Sequence, residues 1–157
     1  MSLQEETFLK EIHKHQALIQ RICHIYRDNA EDREDLFQEM IYQLWKSYPK
    51  FESRSKISSW MYRICLNTAI VTFRKPRLIT TEIGSVPEPA TETHDDSDRE
   101  ALYSAIRKLN DSEKAIITLY LDDVDNTEMA SIIGISKNNL SVRLNRIKNK
   151  IRTLVNA

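Results

Sequence analysis

Apolar residues recur along this chain at spacings of three and four, the period that lines one face of an α-helix. The pattern is clearest near the C-terminus, where Leu140, Leu144, Ile147, Ile151 and Leu154 fall on one stripe. Just upstream, Met129, Ala130, Ile132 and Ile133 form a short apolar run. Asn126 and Thr127 offer N-cap oxygens before that run, and Gly134 stands where a helix ends in the left-handed conformation. Ser136 is then placed to cap the next helix. The stretch 126–152 is therefore predicted as two helices around a tight turn, a helix-turn-helix candidate.

The same period predicts further helices upstream. One runs over about residues 7–27 on Phe8, Leu9, Ile12, Ile19, Ile22, Cys23 and Tyr26. The next, over 29–48, carries a broad apolar band of Leu36, Phe37, Met40, Ile41, Leu44, Trp45 and Tyr48, and Pro49 ends it. A third, capped by Ser58 or Ser59, runs through Trp60, Met61, Ile64, Cys65, Ala69, Ile70 and Phe73. Periodicity stops after Pro76 and resumes near Asp98 with Leu102, Ala105, Ile106 and Leu109. Asn110, Asp111 and Ser112 break and recap the chain before a helix through Ala115, Ile116, Leu119, Tyr120 and Leu121.

Two glycines and four prolines in 157 residues argue against a sheet with many tight turns. Three of the prolines lie between 76 and 89, which places a break near the middle. The expected fold is all-α: two small helical domains, 1–76 and 99–157, joined by a flexible acidic linker over 77–98, with the helix-turn-helix in the C-terminal domain. Domains this small bury only about 60% of their unfolded surface, so each is expected to be modestly stable and to rely on a partner surface.

Charge sharpens this division. The formal net charge is zero, yet residues 1–79 hold 13 Lys or Arg against 10 acids, 80–100 hold one cation against seven acids, and 101–157 hold nine cations against six acids. Two basic ends are joined by an acidic link. From Lys137 to Arg152 there are six cations and no acid. The face opposite the C-terminal stripe carries Asn138, Ser141, Val142, Asn145 and Asn149, flanked by Arg143, Arg146, Lys148 and Arg152, side-chain chemistry suited to base edges and phosphates. A solvated basic face on a plain helical module has the same pattern.

Two upstream stretches also leave alternatives open. Glu31, Asp32, Glu34 and Asp35 crowd the first turn of their helix, where the dipole favours anions, and the apolar band behind them is wider than one core stripe requires. That helix either contacts both the core and another protein or is simply thickly buried. Between Trp60 and Lys75, Arg63, Asn67, Arg74 and Lys75 interleave with Trp60, Tyr62 and Phe73, as a surface for single-stranded nucleic acid requires. Some of those aromatics also fit a core.

Other chemistry is excluded more firmly. Cys23 and Cys65 are too few for a disulfide framework, and His13, His15, His24 and Cys23 lack ligand spacing, so no metal and no cofactor is expected. Aspartates 122, 123 and 125 lack the Gly and Glu of a calcium loop. No nucleophile with a base and no phosphate-cradling Gly loop points to an enzyme. With no secretion signal and no apolar run of about 20 residues, a cytoplasmic protein is expected.

Three stretches in this order resemble the extracytoplasmic-function class of bacterial sigma factors. Asp32, Glu34, Asp35, Leu36, Gln38, Glu39, Leu44 and Trp45 are similar to the family's polymerase-binding helix. Ser59, Trp60, Tyr62, Arg63, Ile64, Asn67, Ala69 and Ile70, ending in Arg74 and Lys75, resemble its segment for the minus-10 element. Ala130, Ile133, Gly134, Ile135, Ser136, Leu140, Arg143, Leu144 and Arg146 resemble its minus-35 helix-turn-helix. The resemblance implies a transcription initiation factor with core RNA polymerase, promoter DNA and an anti-sigma factor as partners. Asp32, Asp35, Leu36, Gln38, Glu39, Tyr42 and Trp45 would dock on polymerase. Arg54, Ser55, Lys56, Ser59, Trp60, Arg63, Asn67, Arg74 and Lys75 would bind melted minus-10 DNA, Asn67 and the loop residues near a flipped base. Lys137, Asn138, Asn139, Ser141, Val142, Arg143, Asn145 and Arg146 would read minus-35 duplex, and the acidic linker would thread the RNA exit region. Family members often have Gly, a cation and Ser at 138, 141 and 142, and an aromatic or His at 145; the amides here favour adenine. Val71 stands where the family commonly has an acid. The competing expectation is a stand-alone helix-turn-helix regulator acting without polymerase.

Overall fold

The computed structural model describes residues 2–53, 55–74 and 97–156, without the side chains of Phe73 and Arg74. Arg54, Lys75, the Arg74 side chain and the expected linker up to residue 96 lie outside the described residues. Within them the secondary structure is helical: α1 (Leu3–Lys14), α2 (Gln16–Tyr26), α3 (Ala30–Ser47), a 3-10 turn (Tyr48–Lys50), α4 (Ile57–Arg74), α5 (Ser97–Arg107), α6 (Asp111–Leu121), α7 (Asn126–Ile133) and α8 (Lys137–Val155). No helix among the described residues is long and apolar enough to cross a membrane.

The single helix expected over 7–27 is two. His15 leaves helical backbone at φ −112°, ψ 20°. Its ring Nδ1 and its backbone N–H both converge on the Glu11 carbonyl, at 2.9 and 3.1 Å, and close α1 there. A side chain competing for a helix carbonyl is a local alternative that apolar spacing does not report. The break lets Phe8 and Ile12 of α1 and Leu18, Ile19, Ile22 and Cys23 of α2 reach the same core from different directions.

That core is closed by α3 and α4, which bury Phe37, Met40, Ile41, Leu44, Met61 and Cys65. Burial raises the Cys65 thiol well above its ordinary pKa. The width of the α3 apolar band is explained by a second row of rings at its end. Phe8 meets Trp45 at 5.0 Å and Tyr48 at 5.1 Å between centroids, Tyr48 meets Trp60 at 6.1 Å, and Trp60 meets Phe51 at 5.0 Å. Tilted ring pairs at these distances add to area burial. Phe51 anchors the connection into α4, which begins at Ile57, with the Trp60 N–H on the Lys56 carbonyl at 3.2 Å. Ser58 and Ser59 therefore lie inside the helix and do not cap it.

In the C-terminal half, Asn110 and Glu113 form a capping box at the start of α6, each side chain bonding the other's backbone N–H. Lys150 reaches back from α8 to Glu113 at 3.1 Å. Those bonds outweigh the desolvation that would raise the Glu113 carboxyl and hold it below its ordinary value. Asp125 caps α7 by accepting from the Glu128 N–H at 2.9 Å, so Asn126, read as a cap, is the first helical residue. Leu140, Leu144, Ile147 and Ile151 are buried on the α8 stripe, as their spacing requires.

The two halves touch. α2 packs against α5 and α6, and α4 against α7.

Candidate nucleic-acid interface

The turn between α7 and α8 rests on Gly134, whose φ of 84° is left-handed. Its N–H and that of Ile135 both donate to the Ala130 carbonyl, at 2.8 and 3.1 Å, which reverses the chain within one turn. Ser136 then caps α8 by accepting from the Asn139 N–H at 3.0 Å. With the apolar stripe buried, helical geometry turns the other face outward: Lys137, Asn138, Asn139, Ser141, Val142, Arg143, Asn145 and Arg146 are all exposed. Arg143 Nε donates to Asn139 Oδ1 at 3.2 Å, which aligns a guanidinium and an amide one turn apart. Further along, Arg152 donates to Asn149 at 2.8 Å, and the Lys148 ammonium lies 4.1 Å from the Tyr120 ring centroid. The arrangement presents amide donors and acceptors with flanking cations on a rigid, capped helix, the geometry that reads a major groove.

Of the residues expected at single-stranded DNA, the described Ser55, Lys56, Ser59, Trp60, Arg63 and Asn67 lie on α4 and the connection before it, with one consequential difference. Arg63 and Asn67 are exposed and Trp60 is half-buried in the ring chain. Ser59 is buried at 4% exposure because the C-terminal half covers it. Its hydroxyl donates to Glu128 Oε1. Lys56 pairs with Glu128 Oε2 at 3.6 Å, and Arg63 donates to Ser131 at 3.3 Å. Beside them, Tyr62 donates to Asp122 Oδ2 at 2.6 Å, and the other oxygen of Asp122 is ion-paired with Arg21. Burial and the Asp122 carboxylate push the Tyr62 phenol far above its ordinary pKa. Burial also raises the Asp122 carboxyl, against the lowering effect of Tyr62 and Arg21. A cleft of about 670 Å³ remains between the halves, lined by Ser55, Lys56, Ser59 and Arg63 on one side and by Asp125, Thr127, Glu128, Ser131 and Lys137 on the other.

Of the residues expected to meet polymerase, Asp32, Asp35, Gln38, Glu39 and Tyr42 lie at least partly exposed along α3. Asn29 caps the helix through the Asp32 N–H at 2.8 Å, and Gln43 donates to Glu39 at 3.0 Å. Leu36 departs from the expectation: at 3% exposure it is a core residue, because its position falls on the inner stripe. Trp45 is half-buried against Phe8. Reading the chain missed Arg21, Asp122, Glu128 and Ser131 as partners of the α4 face. Asp122, Ser131 and Glu128 lie 60, 68 and 69 residues from their α4 partners Tyr62, Arg63 and Ser59, and no local pattern marks such pairings.

Fold and site together define an all-α protein in which a capped helix-turn-helix packs beside an aromatic, cationic helix, α7 against α4. The chain matches Sigma-70 region 2 over residues 12–78 and Sigma-70, region 4 over residues 99–151. It belongs to the sigma-70 family, in the extracytoplasmic-function class. Among curated relatives it is 27% identical over 168 residues to the ECF RNA polymerase sigma factor SigG of Mycobacterium tuberculosis, covering 85% of this chain and 45% of that protein. The chain thus spans about half the length of that relative. It is 25% identical over 153 residues to SigW of Bacillus subtilis and 29% identical over 134 residues to SigV, covering 85% and 84% of this chain and 81% of each relative. The fold is shared with the sigma factor RpoE solved with the anti-sigma factor NepR from Bartonella quintana, at TM-score 0.68 and 18% identity over 97% of this chain and 98% of that one. It is shared also with CnrH solved with the cytosolic domain of CnrY, at TM-score 0.69 and 16% identity over 97% and 89%.

Proposed function

We propose that this protein binds core RNA polymerase in the cytoplasm and directs it to promoters, reading minus-35 duplex with α8 and melted minus-10 DNA with α4. It acts by binding, with no catalysis of its own. The observation that carries the reading is the exposed face of α8: eight exposed residues between Lys137 and Arg146, mostly polar or cationic, on a helix capped by Ser136 and anchored by its buried Leu140, Leu144, Ile147 and Ile151. The acid-fronted α3, with Asp32, Asp35, Gln38, Glu39, Tyr42 and Trp45, supplies the polymerase contact, the positive end of its dipole complemented by Glu31 and Asp32 in the first turn. The domain boundaries fall at the linker over 77–98, and an anti-sigma factor is the expected restraining partner, as NepR is for the similar RpoE fold.

The experiment adds purified chain to core polymerase on a genomic promoter library. Promoter-specific transcripts that require the chain are the expected result. Duplex binding without core association or transcripts would leave a stand-alone regulator in its place.

A further inference from the structure

We propose that Val142 is a sequence-determining residue of α8: its two methyl groups pack on the C5-methyl group of a thymine in the major groove of the minus-35 duplex. The proposal rests on the reading of α8 as the minus-35 helix and narrows it to one residue and one base.

Val142 is an apolar side chain on a face otherwise built for polar contacts. From Lys137 to Arg146 the outward side chains are amides, cations and one hydroxyl, except Val142, which is 44% exposed. Single exposed apolar residues are ordinary on protein surfaces, so exposure alone assigns nothing. The setting is what singles this one out. Helical period puts Asn138 one turn before it and Asn145 one turn after it, in one outward row. The polar groups beside it are bonded along their own helix: Ser141 donates to the Lys137 carbonyl at 3.1 Å, and Arg143 donates to Asn139 Oδ1 at 3.2 Å. Those bonds leave the valine methyls uncovered.

The chemistry of base edges decides what such a row can read. In the major groove thymine alone presents an apolar group, its C5-methyl, beside an acceptor oxygen. A docking protein would have to desolvate the surrounding cations and amides to reach the valine, whereas duplex DNA meets those same groups with phosphates and base edges. A β-branched residue in a helix also has one strongly preferred χ1, so the methyls are already placed and little rotamer freedom is lost on contact. At about 1.5 Å of rise per residue, Asn138 and Asn145 lie roughly 6 and 4.5 Å from Val142 along the axis, one to two base steps of about 3.4 Å. The thymine therefore falls within two base pairs of the adenines that the amides favour.

The test uses the full chain assembled with core polymerase. This holoenzyme first selects its duplex from a pool randomised over the minus-35 element. Each thymine of the selected duplex is then replaced in turn by deoxyuridine, which deletes the methyl and keeps the base pair. One such replacement should weaken wild-type binding about fourfold, the loss of one buried methyl. Val142→Ala should weaken binding to the thymine duplex at least as much and be indifferent to that replacement, so the two losses do not add. Alanine is a better helix former than valine, so the melting temperature of the variant should not fall, and its weaker binding is separated from loss of fold. A selected duplex in which no thymine methyl matters overturns the proposal, as does a methyl whose loss costs Val142→Ala as much as wild type. Holoenzyme that selects no minus-35 sequence at all overturns the underlying reading of α8, a failure distinguished from the other two by the absence of any duplex to scan.

Discussion

Replacing Gly134 by alanine isolates one backbone angle at the pivot of the recognition helix. At φ 84° the residue is left-handed, and a Cβ added there meets no atom within 4 Å. The substitution therefore carries no steric penalty from neighbours. A left-handed L-residue costs roughly 1–2 kcal/mol relative to the right-handed form. Alanine also narrows the unfolded ensemble, which returns about 0.4–1 kcal/mol. The expected net loss is about 1 kcal/mol, or about 2–4 °C in melting temperature for a chain of this size. Gly134→Asn should lose about half as much, because asparagine tolerates this region better. Urea denaturation followed by circular dichroism measures the loss. Duplex affinity well below the melting transition should stay within about twofold, since the two bonds to the Ala130 carbonyl still set the turn. A loss above about 3 kcal/mol, at the level of a buried packing defect, refutes the absence of a clash. No loss at all refutes the need for a left-handed residue here.

Four further outcomes follow from the same geometry. Arg146→Ala should weaken binding to minus-35 duplex and reduce the salt slope by about one if its guanidinium meets a phosphate; an unchanged slope removes that contact. Asn67→Ala should spare duplex binding and impair promoter melting, so a normal permanganate footprint with polymerase takes Asn67 out of the site. Leu36→Ala should cost about 2–5 kcal/mol of stability as a core truncation, whereas Glu39→Gln should leave the melt unchanged and weaken polymerase association; the reverse pattern in paired melts and pull-downs would show α3 facing the other way. Burial, with Arg33, Arg107 and Arg99 nearby, holds the His24 imidazole below its ordinary pKa of 6.5. As pH falls below that value the unfolded chain takes up a proton that the folded chain refuses, so stability present at neutral pH is lost through that window. His24→Gln should flatten the fall in melting temperature between about pH 7 and 5, and an unaltered slope would assign the effect to other groups.

What the chain order alone determined is what short-range physics controls. Helix period put Leu140, Leu144, Ile147 and Ile151 inside, and so put Asn138, Asn145 and Arg146 outside, because a helix has only one way to bury a stripe. The caps at Asn110 and Ser136 and the left-handed Gly134 are bonds within three or four residues, legible for the same reason. Even locally, competition between neighbours escaped that reading: His15 ends α1 through its own ring, and Asp125 takes the capping role from Asn126.

Tertiary structure decided the rest. Trp45 and Tyr48 carry no mark in the chain to distinguish a docking face from a ring cluster, and the approach of α1 turned them toward Phe8. Ser59 reads as a helix cap or a DNA contact until Glu128, 69 residues later, arrives beside it. Asp122 reads as one of several acids in a turn until Tyr62 and Arg21 close on it. Such pairings depend on how packed helices bring distant backbone together, and a pattern of period 3.6 carries information about one helix at a time.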